Sequence, residues 1–163
     1  MARGNEIIVS ANPRGVFHEG VIGLGLTPKP GTIMQIQTSA GISDDGRMTW
    51  ELATPGTDGY RPIGPLAVLL HDSLRGKLTT DAYAAGDRCF LYTPVAGEEL
   101  NCLLGDVGGT GDDHSFGEVL IVDTGTGELI ATTGSVESEP FILLEDVTDP
   151  TADTLAHVMY TGY

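Results

Sequence analysis

The chain has 163 residues, room for one domain or one domain with a satellite module, and its 40% hydrophobic and 19% charged content supports a packed core rather than gross disorder. The formal net charge of −15 is unevenly placed: residues 1–88 carry eight bases and nine acids, whereas residues 89–163 carry fourteen acids and no Lys or Arg. Such a field repels phosphate backbones and anionic membranes, so nucleic-acid binding through the second half is disfavoured. Solubility is the plain account of the asymmetry. The functional one is an acidic half that faces solvent and a near-neutral half that touches partners.

Gly at 23 and Pro at 9, both spread along the chain, favour short strands joined by tight turns. The N-terminal MARGNEIIVS lacks an apolar run of signal-peptide length, so no targeting segment is expected. The longest apolar stretches, Leu66 to Leu70 and Phe141 to Leu144, are too short to span a bilayer.

In chain order, Glu6 to Ser10 reads as a short strand or arm, and Asn12-Pro13-Arg14-Gly15 as a turn. Val16 to Leu26 is a weak strand pattern interrupted by glycines. Lys29-Pro30-Gly31 is a turn, because Pro presets φ and Gly tolerates positive φ. Thr32 to Thr38 alternates as a strand with both faces partly used. Gly41 to Gly46 is a polar loop, Met48 to Leu52 a strand carrying the single Trp50, and Thr54 to Pro65 too turn-rich for helix. Leu66 to His71 is an apolar run that predicts burial on both faces. Leu74 to Asp81 is a further arm or turn. Strands follow at Arg88 to Val95 and Glu99 to Leu104, then a Gly108 to Asp113 loop. Glu118 to Val122 and Glu128 to Thr132 flank an Asp/Gly connection at 123–127. Pro140 to Glu145 is another strand, Thr151 to Leu155 one helical turn, and His157 to Tyr160 the closing strand. Sustained 3.6-residue periodicity is missing, which argues against a helical bundle or a Rossmann unit. The expected fold is mainly β: an extended N-terminal arm and β-rich region over 1–81, then a small β-barrel over 82–163.

Chemistry-bearing residues are sparse. Leu120-Ile121-Val122-Asp123-Thr124-Gly125 resembles the strand-turn that presents the catalytic aspartate of aspartic proteases, which need two carboxylates sharing a proton and so a homodimer here. Only forty residues follow Asp123, too few for the rest of that fold, and Asp-Thr-Gly-Thr-Gly also suits an ordinary hairpin turn. His18, His71, His114 and His157 are scattered. His71-Asp72-Ser73 holds triad residue types in adjacent positions, which point to opposite faces of a strand. Asp44-Asp45, Asp112-Asp113 and Asp149 to Asp153 do not follow EF-hand spacing. Cys89 and Cys102 form no CxxC pair; they are two small buried thiols or partners across a hairpin. No catalytic, cofactor-binding or metal-ligating residue is assigned, and the chain is read as no enzyme.

The residues that carry a resemblance run almost the whole length: Phe17-His18-Glu19-Gly20, Gly23 and Lys29-Pro30-Gly31-Thr32; Ile63, Leu66 to Leu70 and Gly76 to Tyr83; then GDRCFLYTPVAGEELNCLL, the GTGD loop, GEVLIVDTGTGELIATTG, ESEPF and VMYTGY. In this order they resemble the capsid decoration, or cement, proteins of tailed bacteriophages. The resemblance implies a β-tulip-like domain and a homotrimer at three-fold and quasi-three-fold positions on the outer surface of the virion head. It implies the major capsid protein as partner, no cofactor, no direct nucleic-acid contact and no membrane. Within that picture Arg3, Arg14 and Lys29 are expected to pair with the shell, and Ile7, Ile8, Val9, Val16 and Phe17 to be apolar anchors, with the first thirty or so residues ordering on binding. Another structural component of the particle, or a homodimeric protease using Asp123, are the alternatives.

Overall fold

A computed structural model of the chain describes residues 6–37, 46–54, 65–76, 78–105, 113–123, 125–132, 141–150 and 154–162. The described residues form ten strands and one 3-10 turn, so the fold is mainly β as expected. Strands β1 (Val16–Ile22), β2 (Ile33–Ile36), β3 (Met48–Leu52), β4 (Ala67–Leu69) and β5 (Arg88–Thr93) close into a barrel in the order β1-β3-β2-β4-β5. Strands β6 (Glu99–Leu103), β7 (Val119–Val122), β8 (Leu129–Ala131), β9 (Phe141–Leu143) and β10 (Leu155–Tyr160) form a second sheet in the order β6-β10-β9-β7-β8. The closed barrel thus spans position 81, because β5 pairs with both β1 and β4. Pro94 ends β5, since proline cannot donate to the ladder. Leu155 begins β10 instead of ending a helical turn.

Side-chain alternation sorts the strands between two cores. Along β4, Ala67 and Leu69 point into the barrel with Ile22, Met34, Trp50, Cys89 and Leu91, while Val68 points out and joins the core of the second sheet. This is the burial on both faces that the apolar run predicts, with all three residues at most 1% exposed. Ile33, Val68 and Tyr92, on the outer face of the barrel, belong to the same cluster as Leu100, Leu120, Phe141 and Val158 of the second sheet. The period of two forces this division: a one-residue slip would exchange the two faces.

The two sheets share one wiring. In the barrel β1 pairs antiparallel with β5 and parallel with β3, β2 antiparallel with β3 and β4, and β4 with β5. Five strands later β6 pairs with β10, β7 with β8 and β9, and β9 with β10, all antiparallel, and a parallel bridge Leu104–Leu129 joins β6 to β8. The match extends to single hydrogen bonds. Gly23 N–H donates to Trp50 O and Gly105 N–H to Leu129 O, both at 2.8 Å. Ile22 N–H donates to Asp87 O at 3.0 Å and Leu104 N–H to Thr154 O at 2.9 Å. Gly31 N–H donates to Leu69 O and Gly117 N–H to Leu143 O, both at 2.8 Å, and the two glycines have φ of 91° and 85°. The chain is a tandem of two equivalent five-strand units.

Equivalent positions are filled differently. Inside the first unit Trp50 (β3) stands with Gly20 (β1), Ala67 (β4) and Cys89 (β5); the matching residues of the second are Leu129, Cys102, Phe141 and Ala156. The bulky ring moves from β3 to β9 and the thiol from β5 to β6, so each interior is filled by its own large-and-small arrangement.

Candidate functional site

The potential chemistry resolves into structural roles. Asp123 follows β7, and its Oδ2 accepts the N–H groups of Gly125 (3.1 Å) and Thr126 (2.9 Å) and the Thr126 hydroxyl (2.9 Å). An Asx turn of this kind gives the carboxylate a conformational role, as in the hairpin reading, and its acceptor sites face its own loop. Asp123→Asn, which keeps the acceptor, is expected to leave thermal stability almost unchanged. Asp123→Ala removes these bonds and is expected to cost about 1 kcal/mol in chemical denaturation. A large loss with Asn would contradict the turn role.

Asp72 is buried and caps the 3-10 turn Ser73–Arg75: its carboxylate accepts Arg75 N–H at 3.3 Å and lies 3.4 Å from Arg75 Nε. It therefore serves the turn beside it and not His71. The histidines stay apart. His18 Nε2 bonds with Thr93 Oγ1 (3.0 Å), His114 Nδ1 with Glu118 (2.9 Å) and His157 Nε2 with Glu99 (3.0 Å). Among the described residues no group of three His, Cys, Asp or Glu is placed to hold a metal ion. Asp44, Asp45, Asp112 and residues 151–153 lie outside the described residues; Asp113 accepts the N–H of Asp149 at 3.1 Å.

Cys89 and Cys102 are free and sit in the two separate cores. Burial pushes the Cys89 thiol up to about 12 and the Cys102 thiol higher still. Since the thiolate is the reactive form, native protein at pH 8 is expected to resist a thiol reagent and to titrate two thiols once unfolded. Rapid labelling of either in the native state would contradict this burial.

The residues expected to contact a partner lie as follows. The N-terminal segment is held against the second unit. Ile8 bridges Leu100, Asn101 N–H donates to Ile7 O (2.7 Å), and Glu99 N–H donates to the Ser10 hydroxyl (2.9 Å). Ile7, expected as an anchor, is 2% exposed inside the core and is unavailable to a partner. Glu98 fixes the next turn. Its carboxylate accepts the backbone N–H of Arg14, the Tyr92 hydroxyl (2.7 Å) and the N–H of Val95 (2.9 Å). Burial pushes this carboxyl up, but the hydrogen bonds from Arg14, Tyr92 and Val95 outweigh it and hold it below its ordinary range. Residues 7–15, part of the segment expected to order on binding, make these contacts within the single chain.

Of the remaining expected contacts, Arg3 lies outside the described residues. Arg14 donates from its guanidinium to Ala96 O (3.2 Å). Lys29 lines a cleft of about 330 Å³ between the two units, together with Gly25, Pro28, Thr126 and Glu128. Val9, Val16 and Phe17 are 38, 58 and 60% exposed. Phe17 rests on Tyr92, with ring centroids 4.9 Å apart, and begins an aromatic and arginine patch on the outer face of β1 and β5. Arg88 lies over the Phe90 ring (4.9 Å) and reaches Glu19 (2.8 Å), which Arg47 approaches at 3.8 Å. Aromatic side chains and arginine are the types enriched where protein surfaces adhere. Sequence reasoning found Phe17 but missed Arg88 and Phe90, whose meaning depends on the strand that pairs opposite.

No family model matches the chain, and no curated protein matches it. Among solved structures it is similar to the head fiber gp8.5 N base in bacteriophage phi29, at a TM-score of 0.52, with 90% of this chain and 94% of that chain covered and 10% sequence identity. At that identity the likeness is one of fold, and it takes in both units.

Proposed function

We propose that the chain is a non-enzymatic structural protein of a phage particle, a decoration protein bound to the outside of the expanded head. The observation that carries this reading is the shared fold: nine-tenths of the chain follows the base of a phage head fiber. The Asx-turn role of Asp123 and the scattered histidines agree with it, as does an acidic second half suited to a solvated outer surface. In this reading the near-neutral N-terminal half contacts the major capsid protein, the acidic second half projects outward, and homotrimers at three-fold and quasi-three-fold positions clamp neighbouring subunits against the pressure of packaged DNA. Many weak contacts repeated over a shell give firm attachment through multivalency.

The likeness to a fiber base favours one second reading, a protein that seats a projecting structure on the head without reinforcing it. Cosedimentation of purified protein with expanded shells lacking it, with bound copies counted and shell heat resistance measured, separates the two. Saturation at the number of three-fold sites with raised heat resistance supports decoration. Saturation with unchanged heat resistance supports the seat, and no binding to the cognate shell removes both.

A further inference from the structure

The second sheet is not closed by its own strands alone. In the first unit β1 and β3 pair over three positions, Gly20–Met48, Val21–Thr49 and Ile22–Trp50. Among the described residues the equivalent strands β6 and β8 meet at one bridge, Leu104–Leu129. The rest of that edge of β6 is taken by a segment from the start of the chain. Ile8 lies opposite Leu100 in an antiparallel bridge, Asn101 N–H donates to Ile7 O (2.7 Å), and Val9 N–H donates to Glu99 O (3.0 Å). The Asn101 side chain donates to Glu6 O (2.6 Å), Ser10 N–H donates to Glu99 O (3.2 Å), and the Ser10 hydroxyl accepts Glu99 N–H (2.9 Å). Every hydrogen bond that residues 6–10 make among the described residues thus goes to β6. This edge is an acceptor, and its donor strand is supplied from 89 to 95 residues earlier in the chain.

The donor is attached loosely to its own copy. Ala11, Asn12 and Pro13 join it to β1, and all three are exposed and make no hydrogen bond among the described residues. Beyond them the chain is fixed again, by Arg14 N–H on Glu98 and Gly15 N–H on the Tyr92 hydroxyl (2.7 Å). The donor also packs incompletely, since a hollow of about 280 Å³ runs beside Ile7 and Ile8 and is lined further by Leu70, His71 and Ser73. A short exposed joint between a bonded strand and a fixed body is the arrangement through which identical copies exchange an element at low cost. Exchange keeps each of these bonds and changes only which copy supplies them. Ile7, closed to an outside partner, is buried either way. Charge permits the crossing: residues 6–10 carry one acid, Glu6, so they reach the acidic half of a neighbour with far less repulsion than two such halves would meet face to face.

We infer that residues 6–10 are exchanged between copies of this chain, Ile7–Val9 of one copy completing the β6 edge of the next. Donor and acceptor are different surfaces, so successive copies close into a ring in which every β6 edge is filled. The inference rests on the structural-protein reading and supplies the contact for its self-association.

The test is a disulfide across the bridge. Ile8 and Leu100 form the antiparallel pair without mutual hydrogen bonds, whose Cα atoms stand about 4.5 Å apart, within the span of a disulfide. Full-length Ile8→Cys and Leu100→Cys chains are coexpressed, purified together, oxidised and alkylated before denaturation. Exchange sets the new thiol of one chain against that of the other, and a disulfide-linked pair of chains is expected on a non-reducing denaturing gel. Neither chain alone is expected to give it, because Cys89 and Cys102 are buried. If Leu100→Cys weakens the core, Val9→Cys with Glu99→Cys repeats the test nearer the surface, where Val9 N–H meets Glu99 O. A linked pair in the mixture supports the exchange. No linked pair at either set of positions overturns it, and a bond closed within a doubly substituted chain shows the donor staying with its own copy. A self-closed chain that copurifies with particles leaves the structural role standing, whereas an exchanged oligomer absent from particles removes the role and keeps the exchange.

Discussion

Gly20→Ala is expected to destabilise the protein by about 3 kcal/mol, one of the largest effects available from adding a single methyl group. A Cβ at position 20 would stand 2.4 Å from Trp50 Cδ1, 2.5 Å from Trp50 Nε1 and 2.6 Å from the Met48 carbonyl oxygen. The indole is fully buried in the barrel and has nowhere to retreat. The equivalent position in the second unit is Cys102, which tolerates a Cβ because Leu129 occupies the place of Trp50. Trp50→Leu should therefore restore part of what Gly20→Ala removes, although alone it leaves a cavity and costs about 2 kcal/mol. Recovery should stay incomplete, since the Met48 carbonyl belongs to the paired strand and moves only with it. Urea denaturation of the two single variants and the double variant gives the coupling, expected at about 1–2 kcal/mol in favour of the double. Additive losses would show that the indole is not what crowds Gly20.

The second large effect is expected at Glu98. Replacing it with Ala strands the Arg14 N–H, the Tyr92 hydroxyl and the Val95 N–H around a site 2% exposed, and a loss of about 3 kcal/mol follows from buried donors left unsatisfied. Glu98→Gln keeps an acceptor but not the charge, and should lose less. The carboxyl is depressed in the folded chain relative to its ordinary value of 4.5, so the native state favours the charged form. Its stabilisation is present in full above the unfolded-state value and is lost as pH falls through the depressed folded value. Thermal unfolding should show wild type losing stability below about pH 4.5, with a shallower decline for Glu98→Gln over the same range. Hydrogen exchange should also rise in residues 7–15 of the Ala variant before the barrel is affected. Equal acid sensitivity in wild type and Glu98→Gln would contradict the role given to this carboxylate.

Much of the strand pattern is readable from local sequence. Met48–Leu52 coincides with β3, the apolar run ending at His71 contains β4, and the Asp/Gly connection at 123–127 joins β7 to β8. Each rests on a signal inside a short window: alternation, an apolar run or turn residues. Two features lie beyond such windows. The barrel recruits β5 from beyond position 81, a choice made by pairing with β1 seventy residues earlier. The tandem relationship is hidden because equivalence resides in backbone hydrogen bonds, while side chains changed in compensating sets; Trp50 at the position of Leu129 and Ala67 at that of Phe141 read as unrelated residues. The exposed apolar positions were legible only in part. Val16 and Phe17 stand out as apolar residues near turns, but Ile7 looks the same in sequence and lies in the core.

The differing interiors of the two units carry a consequence for how the chain reaches its native state. Neighbouring repeats with the same wiring invite misfolding by exchange, in which a strand of one is captured by the other while the polypeptide is still collapsing. Here the exchanged products do not fit. If β3 entered the second unit in place of β8, Trp50 would meet Cys102 where it needs a glycine and Phe141 where it has alanine. If β8 entered the first, Leu129 beside Gly20 and Ala67 would leave a void. The incorrect pairings are penalised once by overcrowding and once by emptiness, so each unit selects its own strands although the backbone alone would accept either.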